Sequence, residues 1–158
     1  MRIQRVHIEN FRAIRDVECQ FADITSFIGP NGAGKSTILR ALDWFFNGTK
    51  GSVGDDDRFA LSPAGSRIRV RVDFDDLSPS DRMSLGPKYA PEGTVTFTAW
   101  RTYEHGEDKI TGKALAFPPF EAVRSATSAR DKKTALEEAA TIHPELDLPR
   151  WTTIAGTG

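Results

Sequence analysis

The sequence has a single cysteine, no large excess of either charge and no long apolar run. Because Cys19 has no partner in the chain, an internal disulfide is excluded and a reducing compartment fits best. We expect Cys19 to be a small buried hydrophobic residue rather than a reactive thiol. No apolar run reaches the ~20 residues that cross a bilayer, and the N-terminus lacks the apolar block of a signal peptide. We therefore expect a cytoplasmic protein with no membrane partner.

Two further absences narrow the function. The formal net charge of −1 gives no whole-chain basic footprint of the kind that nucleic-acid-binding proteins carry. Any contact with DNA would then be local or lie in sequence outside this chain. His7, His105 and His143 share no metal-ligand spacing, and no Ser/His/Asp or Cys/His arrangement can be argued from spacing. Metal-centred and nucleophilic catalysis by these residues is therefore not indicated.

A chain of 158 residues is about one domain, and its 39% hydrophobic content is ordinary for a globular protein. We predict one partial domain over residues 1–158, divided into three segments. Residues 1–48 would hold a β pair, a glycine-rich loop and a helix. Residues 49–117 would be β-rich, and residues 118–158 would be helical with a tail.

Hydrophobic periodicity predicts the elements of the first segment. "IQRVHI" alternates with one skipped step and predicts an edge strand over residues 3–8. Residues 9–16 are predicted as a turn or short connection. The remaining predictions are a strand over residues 17–21, a β-prone run over residues 24–28 and an amphipathic helix over residues 35–46.

The rest of the chain predicts an antiparallel β meander followed by helices. After a loop over residues 48–66, "RIRVRVDF" at residues 67–74 alternates strictly. Further predictions are a short helix over residues 80–85, strands over residues 94–103 and 109–117 joined by a hairpin turn, and helices over residues 121–128 and 130–141. On the strand at residues 94–103, Val95, Phe97, Ala99 and Arg101 would share one face.

"GPNGAGKST", from Gly29 to Thr37, fits the phosphate-loop pattern G-x-x-x-x-G-K-[ST]. Glycines let several backbone N–H groups turn inward around phosphate oxygens. Lys35 can reach the β- and γ-phosphates, and the Ser36 hydroxyl suits Mg²⁺. The helix that follows points its positive end at the same phosphates. An α/β P-loop NTPase is therefore the predicted fold class.

The wording of this loop resembles the Walker A sequence of ABC-type ATPases of the RecF, RecN and SMC group. "IQRVHIENFRAIRDVECQF" before the loop is similar to the N-terminus of that group, with a strand, Asn-Phe-Arg and a second strand. "ALDWFFNG" and "DDDRF" after the loop resemble the OLD (overcoming lysogenization defect) family of ATP-dependent endonucleases. The resemblance covers about residues 1–60, and beyond these it rests on the β meander alone.

The resemblance implies roles for individual residues. It implies that Arg12, the basic residue of Asn-Phe-Arg, lies near the nucleotide, although a surface arginine after a buried Phe11 is the alternative. It implies that Asn31 faces the γ-phosphate, although loop geometry alone also explains an asparagine there. The predicted ATP-binding residues are Arg12, Asn31, Gly32, Ala33, Gly34, Lys35, Ser36 and Thr37, with Ser36 as the Mg²⁺ ligand.

Several parts of an ABC-type head are not found in this sequence. The glutamine that such heads use for Mg²⁺ cannot be placed, because Gln4 and Gln20 both precede the loop. No buried apolar strand ends in Asp-Glu, and "RVRVDFDD" alternates too regularly for that role. "LSPAG" and "SLGPK" are poor candidates for the signature sequence. We therefore expect the N-terminal half of a head, as an excised part, a truncated gene product or one part of a split protein.

Two local clusters have simple explanations. Arg67, Arg69 and Arg71 form a basic stripe, but Asp73 and Asp75 continue the same face, so we favour a solvated face over a DNA contact. Asp55–Asp57 could hold a cation, and a solvated acidic loop is the favoured interpretation. Trp44 and Phe45 are expected in the core.

The expected function is ATP binding by half of an ABC-type head, in a protein that acts on DNA in repair or as an OLD-type endonuclease. Hydrolysis would require carboxylates from a C-terminal half and a second head, as a homodimer. Whether the chain is an ATPase by itself is left open. The alternative is a non-hydrolysing binding or assembly module, or a fragment with no independent activity.

Overall fold

The computed structural model of the chain describes residues 1–114 and 120–144. The backbone divides into two compact units, Met1–Ala114 and Leu115–Gly158. Within the described residues, no helix combines the length and the apolar character that crossing a bilayer requires.

The first unit is built on a five-stranded antiparallel sheet with strand order β2-β1-β3-β4-β5. Its strands are β1 (Arg2–Phe11), β2 (Ile14–Gln20), β3 (Ile68–Asp75), β4 (Phe97–Glu104) and β5 (Glu107–Gly112). The helices are α1 (Lys35–Asn47), a 3-10 turn (Asp55–Asp57) and α2 (Pro79–Leu85). The α/β class and the antiparallel meander of β3, β4 and β5 are confirmed.

The core lies on one face of the sheet, under α1. Strict alternation puts every second residue of β3 on this face, where Ile68, Val70 and Val72 are fully buried. The apolar stripe of helix α1 packs against β1 and β3, and Trp44 of α1 stacks on Phe11 of β1 with ring centroids 5.9 Å apart. Each fully buried aliphatic or aromatic side chain here contributes about 1.5–3 kcal/mol by leaving water. The expectation that Trp44 and Phe45 are core residues is confirmed.

The prediction of β1 as an edge strand was wrong, because β1 lies between β2 and β3. The skipped step in its alternation is a register shift between Ile3 and Arg5, where the pairing with β3 is irregular. The predicted connection over residues 9–16 was also too long. β1 runs to Phe11, which pairs with Ile14, and Arg12 and Ala13 form a two-residue turn.

The β-prone run before the glycine-rich loop does not form a strand. Within the described residues, no other segment pairs with residues 24–28, so their backbone groups lack a ladder. Ile24 and Ile28 are 88% and 94% exposed, respectively. Apolar character and β propensity were therefore not sufficient without a neighbouring strand.

The opposite face of the sheet carries cross-strand ion pairs. Arg69 pairs with Glu9, while the Arg71 guanidinium lies 3.0 Å from Glu18 and 3.2 Å from Asp73. Arg69 and Arg71 of the basic stripe are thus paired with neighbouring carboxylates, and the preference for a solvated face over a DNA contact stays a prediction. Such partly exposed pairs each stabilise the fold by about 0–1 kcal/mol. His7, Glu9 and Asp16 have ligand atoms within 4.8 Å of one another, but the Glu9 carboxylate is engaged by Arg69.

Turns and caps set the remaining element ends. β4 and β5 are joined by His105 and Gly106, whose φ angles of 50° and 80° are those of a tight hairpin turn. The strand β4 begins at Phe97, later than predicted, so Val95 lies outside it and is exposed. β5 begins at Glu107 and ends at Gly112, and residues 115–117 of its predicted span lie outside the described residues.

The described part of the second unit is a pair of contacting helices, α3 (Glu121–Ser125) and α4 (Ala129–Ile142). The two predicted helices are confirmed, and the first is shorter than predicted because Ala126, with φ −64° and ψ 130°, is already extended. The Ser128 hydroxyl caps α4 by accepting from the Asp131 N–H at 3.0 Å. The predicted tail after residue 144 lies outside the described residues.

Candidate nucleotide-binding site

The glycine-rich loop leads directly into the N-terminus of α1, as its sequence predicted. Gly32 and Gly34 have φ angles of 85° and 89°, which a residue with a Cβ adopts only with strain. Gly34 is the residue before the helix, and no side chain caps the first turn. The loop therefore needs glycine at these two positions for its backbone conformation.

Free backbone donors gather at this helix end. Within residues 1–114, the N–H groups of Gly32, Gly34, Lys35 and Ser36 donate no hydrogen bond. The Thr37 N–H is engaged by the Gly34 carbonyl at 3.0 Å, and Ala33 by Pro30 at 3.3 Å. Unpaired donors at a positive helix end are a ready site for phosphate oxygens. The fit of this backbone to an anion thus rests on geometry as well as on the sequence motif.

The Lys35 ammonium is folded back over the loop. Its Nζ donates to the carbonyl oxygens of Gly29 and Pro30, both at 2.7 Å. These carbonyls are weak neutral partners compared with a phosphate, which forms stronger charge-assisted bonds. Ser36 is exposed, so its hydroxyl is accessible to a cation held by the same phosphates. Asn31 is also exposed at the loop tip, and the structure gives its side chain no hydrogen bond among the described residues.

Arg12 lies in the turn between β1 and β2. The next strand begins with Ile14, whose Cγ1 is 3.6 Å from the position a Cβ would take on Gly34. The Arg12 Nε is 2.8 Å from Asp57 Oδ1, and its guanidinium carbon lies 5.4 Å from the Phe11 ring centroid. The structure thus places Ile14, two residues after Arg12, against the glycine-rich loop, and it gives Arg12 an acidic partner.

Asp55 and Asp56 of the 3-10 turn are exposed, as expected for a solvated acidic loop, whereas Asp57 is partly buried. Asp57 pairs with Arg12 and also accepts from the Gly54 N–H, while Asp55 is 2.6 Å from Arg58. Asp57 therefore links the 3-10 turn to Arg12 and Asp55 links it to Arg58, while Asp56 is exposed. Sequence reasoning missed this because Arg12 and Asp57 are 45 positions apart, and nothing in local spacing pairs them.

Sequence reasoning also left unrecognised the buried position of Arg101. Its placement on the same face of β4 as Phe97 and Ala99 is confirmed, and this face is the core. The guanidinium forms a bidentate pair with Asp108 at 2.8 and 2.9 Å. It also donates to the carbonyls of Trp44 and Gly48, so Arg101 caps the C-terminal end of the phosphate-loop helix.

The carboxylates of Asp73 and Asp75, in the C-terminal part of β3, are occupied by structural contacts. Asp73 accepts from the Thr98 hydroxyl at 2.8 Å and pairs with Arg71. Asp75 forms a bidentate pair with Arg2 at 3.0 and 3.1 Å. These contacts agree with the preference for a half-exposed strand over a catalytic one at this position.

The sheet, the phosphate loop and the helix that follows this loop define a P-loop nucleotide-binding protein. A family profile described as AAA ATPase domain matches residues 1–147. The chain belongs to this family, and ATP binding follows from that membership.

Curated relatives agree with the resemblance to ABC-type heads and to the OLD family. An OLD nuclease of Thermus scotoductus is 30% identical over 109 residues, covering 67% of this chain and 18% of that protein. An Old nuclease of Escherichia phage P2 is 28% identical over 116 residues, covering 72% and 19% respectively. The ribose import ATP-binding protein RbsA 1 of Rhizobium meliloti is 29% identical over 143 residues, covering 83% and 28%. The chain thus spans less than a third of these relatives.

Proposed function

We propose that this chain binds Mg-ATP as the Walker A half of an ABC-type ATPase head. The observation that carries the proposal is the set of unpaired N–H groups at the start of α1, beside the Lys35 ammonium. In this proposal the backbone of residues 31–37 holds the phosphates, Lys35 neutralises their charge and the Ser36 hydroxyl is the Mg²⁺ ligand. Arg12 supplies a further positive charge, and Asn31 faces the γ-phosphate.

The rest of the catalytic apparatus belongs to other sequence in this proposal. Residues 1–158 form part of one ATPase domain, which a C-terminal half with acidic residues and a second head, as a homodimer, would complete. The exposed apolar run with Ile24 and Ile28 supports this, because a strand added beside it would give its backbone partners. The chain matches only 18% and 19% of the length of the two nuclease relatives, which agrees with this proposal.

We also propose that the whole protein acts on DNA, in repair or as a nuclease of the OLD type. The support comes from the two relatives named as nucleases. Since the arginines of β3 are neutralised by ion pairs, the DNA contact is assigned to other parts of the protein. A cytoplasmic location belongs to the same proposal and rests on the lone Cys19.

ATP turnover by the purified chain tests the half-head proposal. We expect negligible phosphate release, with Lys35→Ala indistinguishable from the wild type, because the carboxylates that orient the attacking water are not supplied. Robust turnover that Lys35→Ala abolishes would show that the chain is a complete ATPase.

A non-hydrolysing assembly module is the second candidate, and the exposure of Ile24 and Ile28 favours it. An assembly module would self-associate or bind its complementary half whether or not Mg-ATP is present. Sedimentation of the chain with and without Mg-ATP separates the two candidates, since only the nucleotide-binding head predicts a dependence on nucleotide.

A further inference from the structure

The 3-10 turn Asp55–Asp57 is docked on the β1–β2 turn through both main chain and side chain. The Arg12 N–H donates to the Asp57 carbonyl oxygen at 2.6 Å, and Arg12 Nε lies 2.8 Å from Asp57 Oδ1. The other carboxylate oxygen, Oδ2, accepts from the Gly54 N–H at 3.1 Å. Because Oδ2 is hydrogen-bonded, Oδ1 forms an ion pair with Arg12 and the side chain is only 20% exposed, the Asp57 carboxylate has a defined position.

This position does not depend on the Arg12 side chain alone. The chain after Asp57 runs beside β1, where the Phe59 N–H donates to the Asn10 carbonyl at 3.0 Å. The Ser62 hydroxyl donates to the Asn10 side chain at 2.6 Å, and Arg58 forms a bridge with Phe11. Asp57 is therefore held against the turn by contacts that the residues after it make with β1.

Arg12, by contrast, is held in an unfavourable backbone conformation. Its φ of 51° is left-handed, which costs a residue other than glycine about 1–2 kcal/mol. Its guanidinium lies over the ring of Phe11, which is 1% exposed. Among the described residues the ion pair with Asp57 uses only Nε, so the two terminal nitrogens remain available to an anion.

We propose that Asp57 is a positioning residue, which fixes Arg12 through Nε and so presents its terminal nitrogens to the nucleotide held by the glycine-rich loop. This inference rests on the proposed function, and it assigns a role to the acidic turn that the phosphate-loop motif does not include.

A double-mutant cycle on Mg-ATP affinity in the full chain tests the role of Asp57. We expect Asp57→Asn to raise the Kd about threefold or more, as contacting residues that act together do. In an Arg12→Ala background the same substitution should change nothing further. Asp56→Asn is the matched control, because it removes an equal charge from an exposed position in the same turn, and it should leave the Kd unchanged.

Each outcome decides between the inference and simpler explanations. Thermal unfolding of every variant is recorded alongside, and if Asp57→Asn fails to fold, Asp57→Ser keeps an oxygen to accept from the Gly54 N–H. An equal loss of affinity in both Arg12 backgrounds, or none in either, would overturn the positioning role while leaving ATP binding in place. Wild-type chain that shows no Lys35-dependent binding would overturn the proposed function, and the inference with it.

Discussion

At the scale of single residues, the most constrained side chain outside the loop is Arg101. Its side chain is 9% exposed and that of Asp108 is 7% exposed, so this ion pair is buried. Asp108 also accepts from the Trp44 indole N–H at 3.1 Å, and the guanidinium carbon lies 5.5 Å from the Trp44 ring centroid. Arginine suits this place because its planar fork reaches a carboxylate and two helix carbonyls at once.

Arg101→Met should destabilise the chain strongly. The change leaves the Asp108 carboxylate buried without its cation and removes the donors from the end of α1, which predicts a loss of about 3–5 kcal/mol. Urea unfolding measures the difference. Lys109→Met is the control, because the Lys109–Glu107 pair is exposed and should contribute little. Equal stability of the two variants would show that the buried network does not stabilise the fold.

At the scale of elements, the two ends of α1 differ in how their backbone groups are satisfied. Its N-terminal end leaves donors unpaired, whereas at its C-terminal end the Gly48 N–H donates to the Trp44 carbonyl at 2.9 Å. Gly48 is needed there for space, because a Cβ would lie 2.5 Å from Trp44 Cδ1 and 2.8 Å from Arg101 Cζ. The helix is thus anchored to the β4–β5 hairpin at the end away from the loop.

Gly48→Ala should therefore lower stability by about 1–3 kcal/mol, the usual cost of forcing an extra carbon into a packed place. Gly54→Ala is the matched control, since a Cβ there would meet nothing within 4 Å. Thermal and urea unfolding compare the two. If both variants were as stable as wild type, the close packing around Gly48 would not be a constraint.

The elements also show what sequence could and could not predict. The strict alternation of β3 and the apolar stripe of α1 predicted both elements and their buried faces, because these patterns are local. The internal position of β1 could not be seen, since its exposed face carries polar residues whose ion-pair partners come from other strands. Ile24–Ile28 was predicted as β from propensity, and without a partner strand among the described residues it is not one.

The candidate site likewise contains residues that the sequence could predict and a contact that it could not. Lys35, Ser36 and the glycines were predictable, because a phosphate loop is contiguous and each position has a stated chemical requirement. The pairing of Arg12 with Asp57 was not, because it depends on how the loop after α1 returns to the β1–β2 turn. Long-range polar contacts of this kind leave no periodic signal in one sequence.

At the scale of the whole molecule, a carboxylate at the C-terminal end of β3 and one on α2 contribute to how stability changes in acid. The bidentate bond from Arg2 lowers the pKa of Asp75. Hydrogen bonds from the N-terminal ammonium and from Ser78 lower the pKa of Asp81 to about 2. Both folded pKa values lie below the value of about 3.9 for an unfolded aspartate. Their contribution to stability is therefore present above about pH 4 and is lost as the pH falls toward 2.

Thermal unfolding between pH 7 and pH 2 should show this loss as a falling midpoint below about pH 4. Arg2→Met should show a smaller fall between pH 4 and pH 2, because Asp75 then has a more ordinary pKa in the folded chain. Arg15→Met, at an exposed position of β2, is the control and should follow the wild type. A wild-type slope in Arg2→Met would mean that Asp75 does not take part in the acid transition.

The central claim, that the loop at the start of α1 is a working phosphate site, is tested most directly by calorimetric titration with Mg-ATP. The wild-type chain should bind with saturation at one site, and Lys35→Ala should bind about tenfold more weakly or worse, since charged hydrogen bonds to phosphate are lost. Unchanged thermal stability of Lys35→Ala would show that the variant is folded. Equal affinity of the two chains, or no binding by the wild type, would contradict the account.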